Sequence, residues 1–111
     1  MRLKRGVTQE GTRPEIWYAL GVAEAVYKQH GHTLTVTSLT DSHAHRPKSL
    51  HNKGLAADLR IRAMPSSTVG VIVRDLHRVL DVQGFDVVGE PDHIHVEFDP
   101  KEGQQWLEEV A

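Results

Sequence analysis

The sequence predicts an α+β fold, in which a small antiparallel sheet of about four strands is backed by helices. Apolar residues recur at helical spacing in two long segments, three short segments alternate apolar and polar residues, and a fourth is a short apolar run. The 111 residues, 39% hydrophobic and 25% charged, suffice for one core and are too few for two. We therefore expect a single domain over residues 1–111, with residues 1–11 as a flexible tail.

The first helix is predicted at about residues 13–30. Its apolar stripe recurs every three or four positions: Ile16, Leu20, Ala23 and Tyr27. Thr12 and Glu15 have the spacing of a capping box, and Gly31 provides the stop. A second helix is predicted from Pro65 to about Gln83, and a short last helix is predicted to begin at Asp99-Pro100 and to run through Trp106-Leu107.

Strands are predicted at residues 33–37, 55–62, 85–88 and 93–98, the last two as a hairpin. Side chains two apart on a strand share a face. In 93–98 the residues His93, His95 and Glu97 therefore lie opposite the apolar set, and in 55–62 so does Asp58. If these two strands are neighbours, Asp58 and His95 converge on one point above the polar face.

Composition excludes several classes of function. Thirteen basic and 15 acidic residues give a net charge of -2, so nucleic acid is not an expected partner. No apolar run reaches the length of about 18 residues that spans a membrane, so no membrane partner is expected. The chain has no cysteine, so a metal site must use carboxylates and some of the eight histidines.

His51 is a third candidate ligand, seven residues before Asp58. The two can hold one ion only if the chain turns between them, and Gly54 suits such a turn because glycine adopts positive φ without steric cost. Two imidazoles and one carboxylate leave a fourth position for water, which is the ligand count of catalytic zinc.

Two motifs resemble those of the M15 family of zinc peptidases. Residues 49–58, Ser-Leu-His-Asn-Lys-Gly-Leu-Ala-Ala-Asp, match the family signature Ser-x-His-x-x-Gly-x-Ala-x-Asp, and residues 92–95, Asp-His-Ile-His, match its ending. The family comprises D-Ala-D-Ala carboxypeptidases and dipeptidases and phage L-alanyl-D-glutamate endopeptidases, and the Hedgehog signalling domain shares its fold and metal site. The resemblance covers about residues 33–98.

The resemblance implies one Zn²⁺ per chain, held by His51, Asp58 and His95. It implies Asp92 as the general base and His93 as a residue that supports the metal site or the transition state. It also implies an M15/Hedgehog-like sheet with the zinc on its open face. Ser49 is expected to support the substrate site without being a nucleophile.

The chain departs from the family at one position. Many members carry Ser-Gly-Tyr-Arg just after the first strand, and its arginine helps to bind substrate or the oxyanion. The matching residues 38–41 here are Ser-Leu-Thr-Asp. We expect Arg46 to replace that arginine, with His43 and His45 as alternatives.

This chain is short, has the variant loop and ends its last strand motif with Asp-His-Ile-His-Val-Glu. In these features it resembles phage-encoded members of the family, of the endolysin type. The N-terminus shows no secretory signal, which fits synthesis in the host cytoplasm and action on the periplasmic cell wall.

The expected function is therefore a zinc-dependent peptidase that hydrolyses peptide bonds of bacterial peptidoglycan, as an endopeptidase or a carboxypeptidase. A non-catalytic zinc-binding module of the same fold is the alternative, and a metal-dependent nuclease is a third possibility. A serine-hydrolase triad of Ser49, His51 and Asp58 is not expected, because the chain has no Gly-x-Ser-x-Gly elbow.

Overall fold

A computed structural model describes residues 1–41 and 49–101 as an α+β fold with two helices and a five-stranded mixed sheet. The strands are β1 (Arg2–Leu3), β2 (Thr35–Ser38), β3 (Ala56–Arg60), β4 (Phe85–Gly89) and β5 (His93–Phe98). The helices are α1 (Pro14–Gln29) and α2 (Ser66–Leu80), and short 3₁₀ turns lie at Leu50–Lys53 and Asp81–Gln83. Asp99, Pro100 and Lys101 are not helical, and the rest of the predicted last helix lies outside the described residues.

The sheet has the strand order β1-β2-β3-β5-β4, so β3 and β5 are neighbours. The β2–β3, β3–β5 and β4–β5 pairs are antiparallel, as expected, but β1 pairs with β2 in parallel. The prediction of an all-antiparallel sheet of about four strands is therefore corrected to a mixed sheet of five.

Within residues 1–11, for which the sequence predicts a flexible tail, Arg2 and Leu3 form β1 and join the sheet. The N–H of Arg2 donates to the Leu34 carbonyl, and the N–H of Lys4 donates to the Val36 carbonyl. Without β1, the outer edge of β2 would present unpaired backbone groups, which is the physical reason for the extra strand.

Both helices pack on one face of the sheet and form the core with it. Leu59 of β3 and Ile94 of β5 are fully buried on this face, against Leu20 of α1 and Leu76 of α2. Alternation along the strands sends the intervening side chains to the opposite face, called here the polar face. Besides Ala56, it carries five polar residues of β3 and β5: Asp58, Arg60, His93, His95 and Glu97.

Helix α1 begins one residue later than the capping-box motif predicts. Arg13 is the N-cap residue, and no side chain caps the helix. Pro14 occupies the first turn, where its fixed φ suits the helix and its missing N–H costs nothing.

In the part of the chain that the structure describes, no helix is both long and apolar enough to cross a membrane.

Candidate metal centre

The centre of the polar face is a pair of residues on neighbouring strands, Asp58 on β3 and His95 on β5. They lie directly opposite each other in the antiparallel register, as the strand patterns predict. Nδ1 of His95 is 2.9 Å from Oδ1 of Asp58. Because both residues lie within hydrogen-bonded strands, the sheet fixes their separation.

His51 reaches the same carboxylate from a loop. It lies in the 3₁₀ turn Leu50–Lys53, and its Nε2 is 3.2 Å from Oδ1 of Asp58. Ser49 caps this turn, because its hydroxyl accepts a hydrogen bond from the His51 N–H. Gly54 ends the turn in the left-handed conformation, with φ 74°, as the sequence predicts.

A backbone carbonyl fixes the orientation of the His51 ring. Nδ1 of His51 lies 2.8 Å from the carbonyl oxygen of Leu39, which can only accept, so Nδ1 carries the proton and donates. The register between β2 and β3 shifts between Val36 and Ser38, just before Leu39. This irregularity is of the kind that re-aims the chain beside functional sites. Nε2 of His51 is left facing Asp58.

Glu97 fixes the orientation of the His95 ring. It lies on the same face of β5, two residues further on, and its Oε1 is 2.7 Å from Nε2 of His95. The carboxylate can only accept, so Nε2 of His95 carries a proton and donates it in this hydrogen bond, while Nδ1 faces Asp58. A histidine ligand whose second nitrogen is hydrogen-bonded in this way is typical of metal sites.

The ionised Asp58 carboxylate favours a cation, whereas the proton on His95 would have to leave before a metal could bind there. Burial opposes the charge on Asp58, but hydrogen bonds from His51 and His95 outweigh it, and the pKa of this carboxyl lies well below its usual range. The hydrogen bond to Asp58 raises the pKa of His95 against the effect of burial, and Glu97 adds to the rise. A metal ion at these atoms would replace the ring protons that now point at Asp58.

The three donor atoms fit a small divalent metal. Donor atoms of His51, Asp58 and His95 all lie within 4.8 Å of one another. Tetrahedral ligands at zinc distances of 2.0–2.1 Å are themselves about 3.3 Å apart, and the two contacts with Asp58 are close to that value. His51 is 3% exposed, so one ligand is buried while the other two are partly accessible.

A second group of acids is less suited to a metal. Asp86, Glu97 and Asp99 also come within reach of one another. Nζ of Lys101 lies 3.2 Å from a carboxylate oxygen of Asp86 and 3.1 Å from one of Asp99, so an ammonium group already pairs with two of these three carboxylates. Glu97 is, in addition, engaged with His95.

Asp92 and His93 border the centre at the start of β5. Nε2 of His93 is 3.6 Å from Oδ1 of Asp58, and its Nδ1 is 2.6 Å from Oδ1 of Asp92. The Asp92 side chain is 87% exposed and lies in the turn before the strand. His93 therefore links Asp92 to the three-residue centre.

A surface cavity of about 520 Å³ begins at Asp92. Ile61, Met64 and Val69 give it apolar walls, and Arg62 and Glu90 add charge; Ser66 and Pro91 complete the lining. It lies where β3 ends and β5 begins, next to His93.

Most of the predicted site residues come together, and Arg46 cannot be placed. His51, Asp58 and His95 bring their donor atoms together, and His93 and Asp92 border this group. Arg46, His43 and His45 lie outside the described residues. The role of Leu39 has no sequence signal, because its backbone carbonyl is the group that acts.

The strand pattern places Glu97 on the same face as His95, but it does not predict that Glu97 pairs with His95 rather than with a metal.

No protein-family model matches this chain, and no curated protein is significantly similar to it.

Proposed function

We propose that this chain is a zinc-dependent peptidase of the M15 type, which hydrolyses peptide bonds of bacterial peptidoglycan. The observation that carries the proposal is the convergence of Nε2 of His51, Oδ1 of Asp58 and Nδ1 of His95. The second nitrogen of each histidine is held by another group, so each ring presents one nitrogen to the same point. The substrate class and the family fold rest on the resemblance of residues 49–58 and 92–95.

The number of ligands supports catalysis rather than a purely structural metal. Structural zinc sites are closed by four protein ligands, whereas catalytic sites keep three and leave a position for water or substrate. Within residues 1–41 and 49–101, the mixed histidine and aspartate group has three members. His95 is 20% and Asp58 15% exposed at the side chain, which allows a substrate to approach.

When bound, zinc would polarise the scissile carbonyl and lower the pKa of a water molecule. In the proposed reaction Asp92 accepts the proton of the attacking water and passes it to the leaving amine. His93 lies between Asp92 and Asp58 and is placed to orient Asp92 and to stabilise negative charge on the reacting carbonyl oxygen. The cavity beside Asp92 offers room for the substrate peptide.

The test is hydrolysis of purified peptidoglycan. Zinc-loaded protein is incubated with Gram-negative cell walls from which the outer membrane has been removed, and released fragments are identified by mass spectrometry. We expect cleavage within the peptide, its loss on chelation and its return with added zinc. The matched control is His77→Ala, because His77 lies on α2 and pairs with Asp81 instead of the centre.

Intact peptides after long incubation at high protein concentration, with zinc shown to be bound, would contradict a peptidase. That outcome would favour a non-catalytic zinc-binding module. Nicking of plasmid DNA under the same conditions would instead favour a nuclease.

A further inference from the structure

Arg60 is a cation on the polar face next to the candidate metal centre. It lies two residues after Asp58 on β3, so the two side chains share a face. In the sheet register Arg60 is directly opposite His93, just as Asp58 is opposite His95. The two cross-strand pairs are neighbours along the same two strands.

The Arg60 side chain is half-buried, yet no carboxylate among residues 1–41 and 49–101 pairs with it. Arg74 pairs with Asp75, and Lys101 pairs with Asp86 and Asp99, whereas cations that are unpaired within the described chain, such as Arg62 and Arg78, are exposed to solvent. Partial burial of a charge without a counter-charge is unfavourable, so the position of Arg60 favours an anionic ligand.

The backbone of Arg60 is held firmly. Its carbonyl accepts a hydrogen bond of 2.8 Å from the hydroxyl of Tyr27, which is fully buried in α1. This contact anchors the end of β3 to the core while the guanidinium lies on the other side of the sheet. An anchored arginine with an unpaired guanidinium is suited to bidentate binding of a carboxylate.

The surroundings differ on the two sides of His95. On the β4 side its cross-strand neighbour is Val88, an apolar residue that is 44% exposed. Towards the start of β5 lie His93, Arg60 and the cavity beside Asp92. A peptide lying across the centre would therefore meet Arg60 in the direction of His93, with Arg62, Glu90 and Asp92 lining the cavity beyond it.

We propose that Arg60 binds a carboxylate group of the peptide substrate, on the His93 side of the centre. This inference rests on the proposed peptidase function. Two residues along a strand span roughly 7 Å, which is also the span of two residues in an extended peptide. The carboxylate bound by Arg60 is accordingly within about two residues of the bond that is cut.

Peptidoglycan peptides carry such carboxylates both at the C-terminus and on the D-glutamate and diaminopimelate residues. The probe is therefore the tetrapeptide L-Ala-D-Glu-diaminopimelate-D-Ala, together with three versions in which one carboxylate is converted to an amide. Affinity for zinc-loaded protein is measured by calorimetry, and KM and kcat are measured where cleavage occurs. The proteins are wild type, Arg60→Gln, Arg60→Lys and the control Arg78→Gln, whose exposed side chain lies on α2.

We expect Arg60→Gln to weaken binding of the acidic tetrapeptide by about 10- to 100-fold, with Arg60→Lys intermediate, and with kcat and zinc content little changed. One of the three amides should weaken wild-type binding by a similar factor and have no further effect in Arg60→Gln. That amide identifies which carboxylate Arg60 binds.

Three results would overturn the role of Arg60. Arg60→Gln could lose the same factor of affinity for every peptide, it could lose no affinity, or the tetrapeptide could fail to bind the zinc-loaded wild type. Binding of the tetrapeptide through Arg60 without cleavage would support the role of Arg60 and contradict the peptidase proposal.

Discussion

His95 lies directly opposite Asp58 on the neighbouring strand, and its Nδ1 is 2.9 Å from Oδ1 of that carboxylate. The same oxygen is 3.2 Å from Nε2 of His51, so one carboxylate contacts a histidine of the sheet and a histidine of a loop. The sheet fixes two members of the centre, and the turn that Gly54 ends brings in the third. Substitutions around these three residues test each part of that arrangement.

Glu97→Gln should weaken zinc binding while leaving all three ligands in place. Glu97 accepts a hydrogen bond from Nε2 of His95, and a neutral amide holds the ring less strongly than a carboxylate does. We expect zinc affinity to fall by about 10- to 100-fold, the usual effect of losing such a partner. Competition with a chelating dye measures it.

Glu90→Gln is the matched control, because Glu90 is exposed in the turn between β4 and β5. Equal affinities in the two variants would show that Glu97 does not orient His95.

Asp92→Asn should retain the fold and the zinc but lower turnover of peptidoglycan peptides by roughly 100-fold or more, the effect of losing a general base. Asp92 is well exposed and contacts His93, so the amide is accommodated without loss of packing. Glu90→Gln should lower turnover much less. If Asp92→Asn has near-normal turnover and Glu90→Gln loses most of its turnover, the general base is Glu90 instead.

Gly54→Ala should destabilise the protein by at least about 2 kcal/mol. Gly54 has φ +74°, and an added Cβ would lie 2.0 Å from the carbonyl oxygen of Gly11, which is backbone and cannot move aside cheaply. Because Gly54 follows His51 closely, zinc affinity should fall as well. Urea unfolding measures the loss of stability.

Gly21→Ala is the control, since nothing lies within 4 Å of its added Cβ and the residue is inside α1. It should be neutral or stabilising, by up to about 1 kcal/mol. Similar losses in both alanine variants would contradict the special role of the turn at Gly54.

Tyr27→Phe should lower the free energy of unfolding by about 1–3 kcal/mol. The variant keeps the buried ring but leaves the Arg60 carbonyl without the hydroxyl that donates to it. Burial raises the pKa of the Tyr27 phenol, so the hydroxyl stays protonated and donates throughout the neutral pH range. Unchanged stability in urea unfolding would show that the hydroxyl does not anchor the end of β3.

Strict alternation of residue types made the central sheet predictable. The patterns of residues 55–62 and 93–98 placed Asp58 and His95 on one face, and the register of β3 and β5 confirms that they meet. The positive φ of Gly54 confirms the predicted turn before Asp58. In these segments burial of one strand face determines which side chains point away from the core.

Features that depend on backbone groups could not be predicted in the same way. β1 has two residues, too few to show any alternation, and it forms because the edge of β2 offers hydrogen bonds. The contact between the Leu39 carbonyl and His51 follows a register shift in β2 that residue types do not predict. The start of α1 was misplaced because Thr12 fits the capping pattern, although Pro14 suits the first turn equally well.

The most direct test of the central claim is anomalous X-ray scattering at the zinc edge from crystals of the zinc-loaded protein. We expect one strong peak per chain, at bonding distance from Nε2 of His51, Oδ1 of Asp58 and Nδ1 of His95. We also expect His51→Ala and His95→Ala to abolish the peak and His77→Ala to retain it. A peak located among Asp86, Glu97 and Asp99, or one that persists in His95→Ala, would show that these three residues do not form the zinc site.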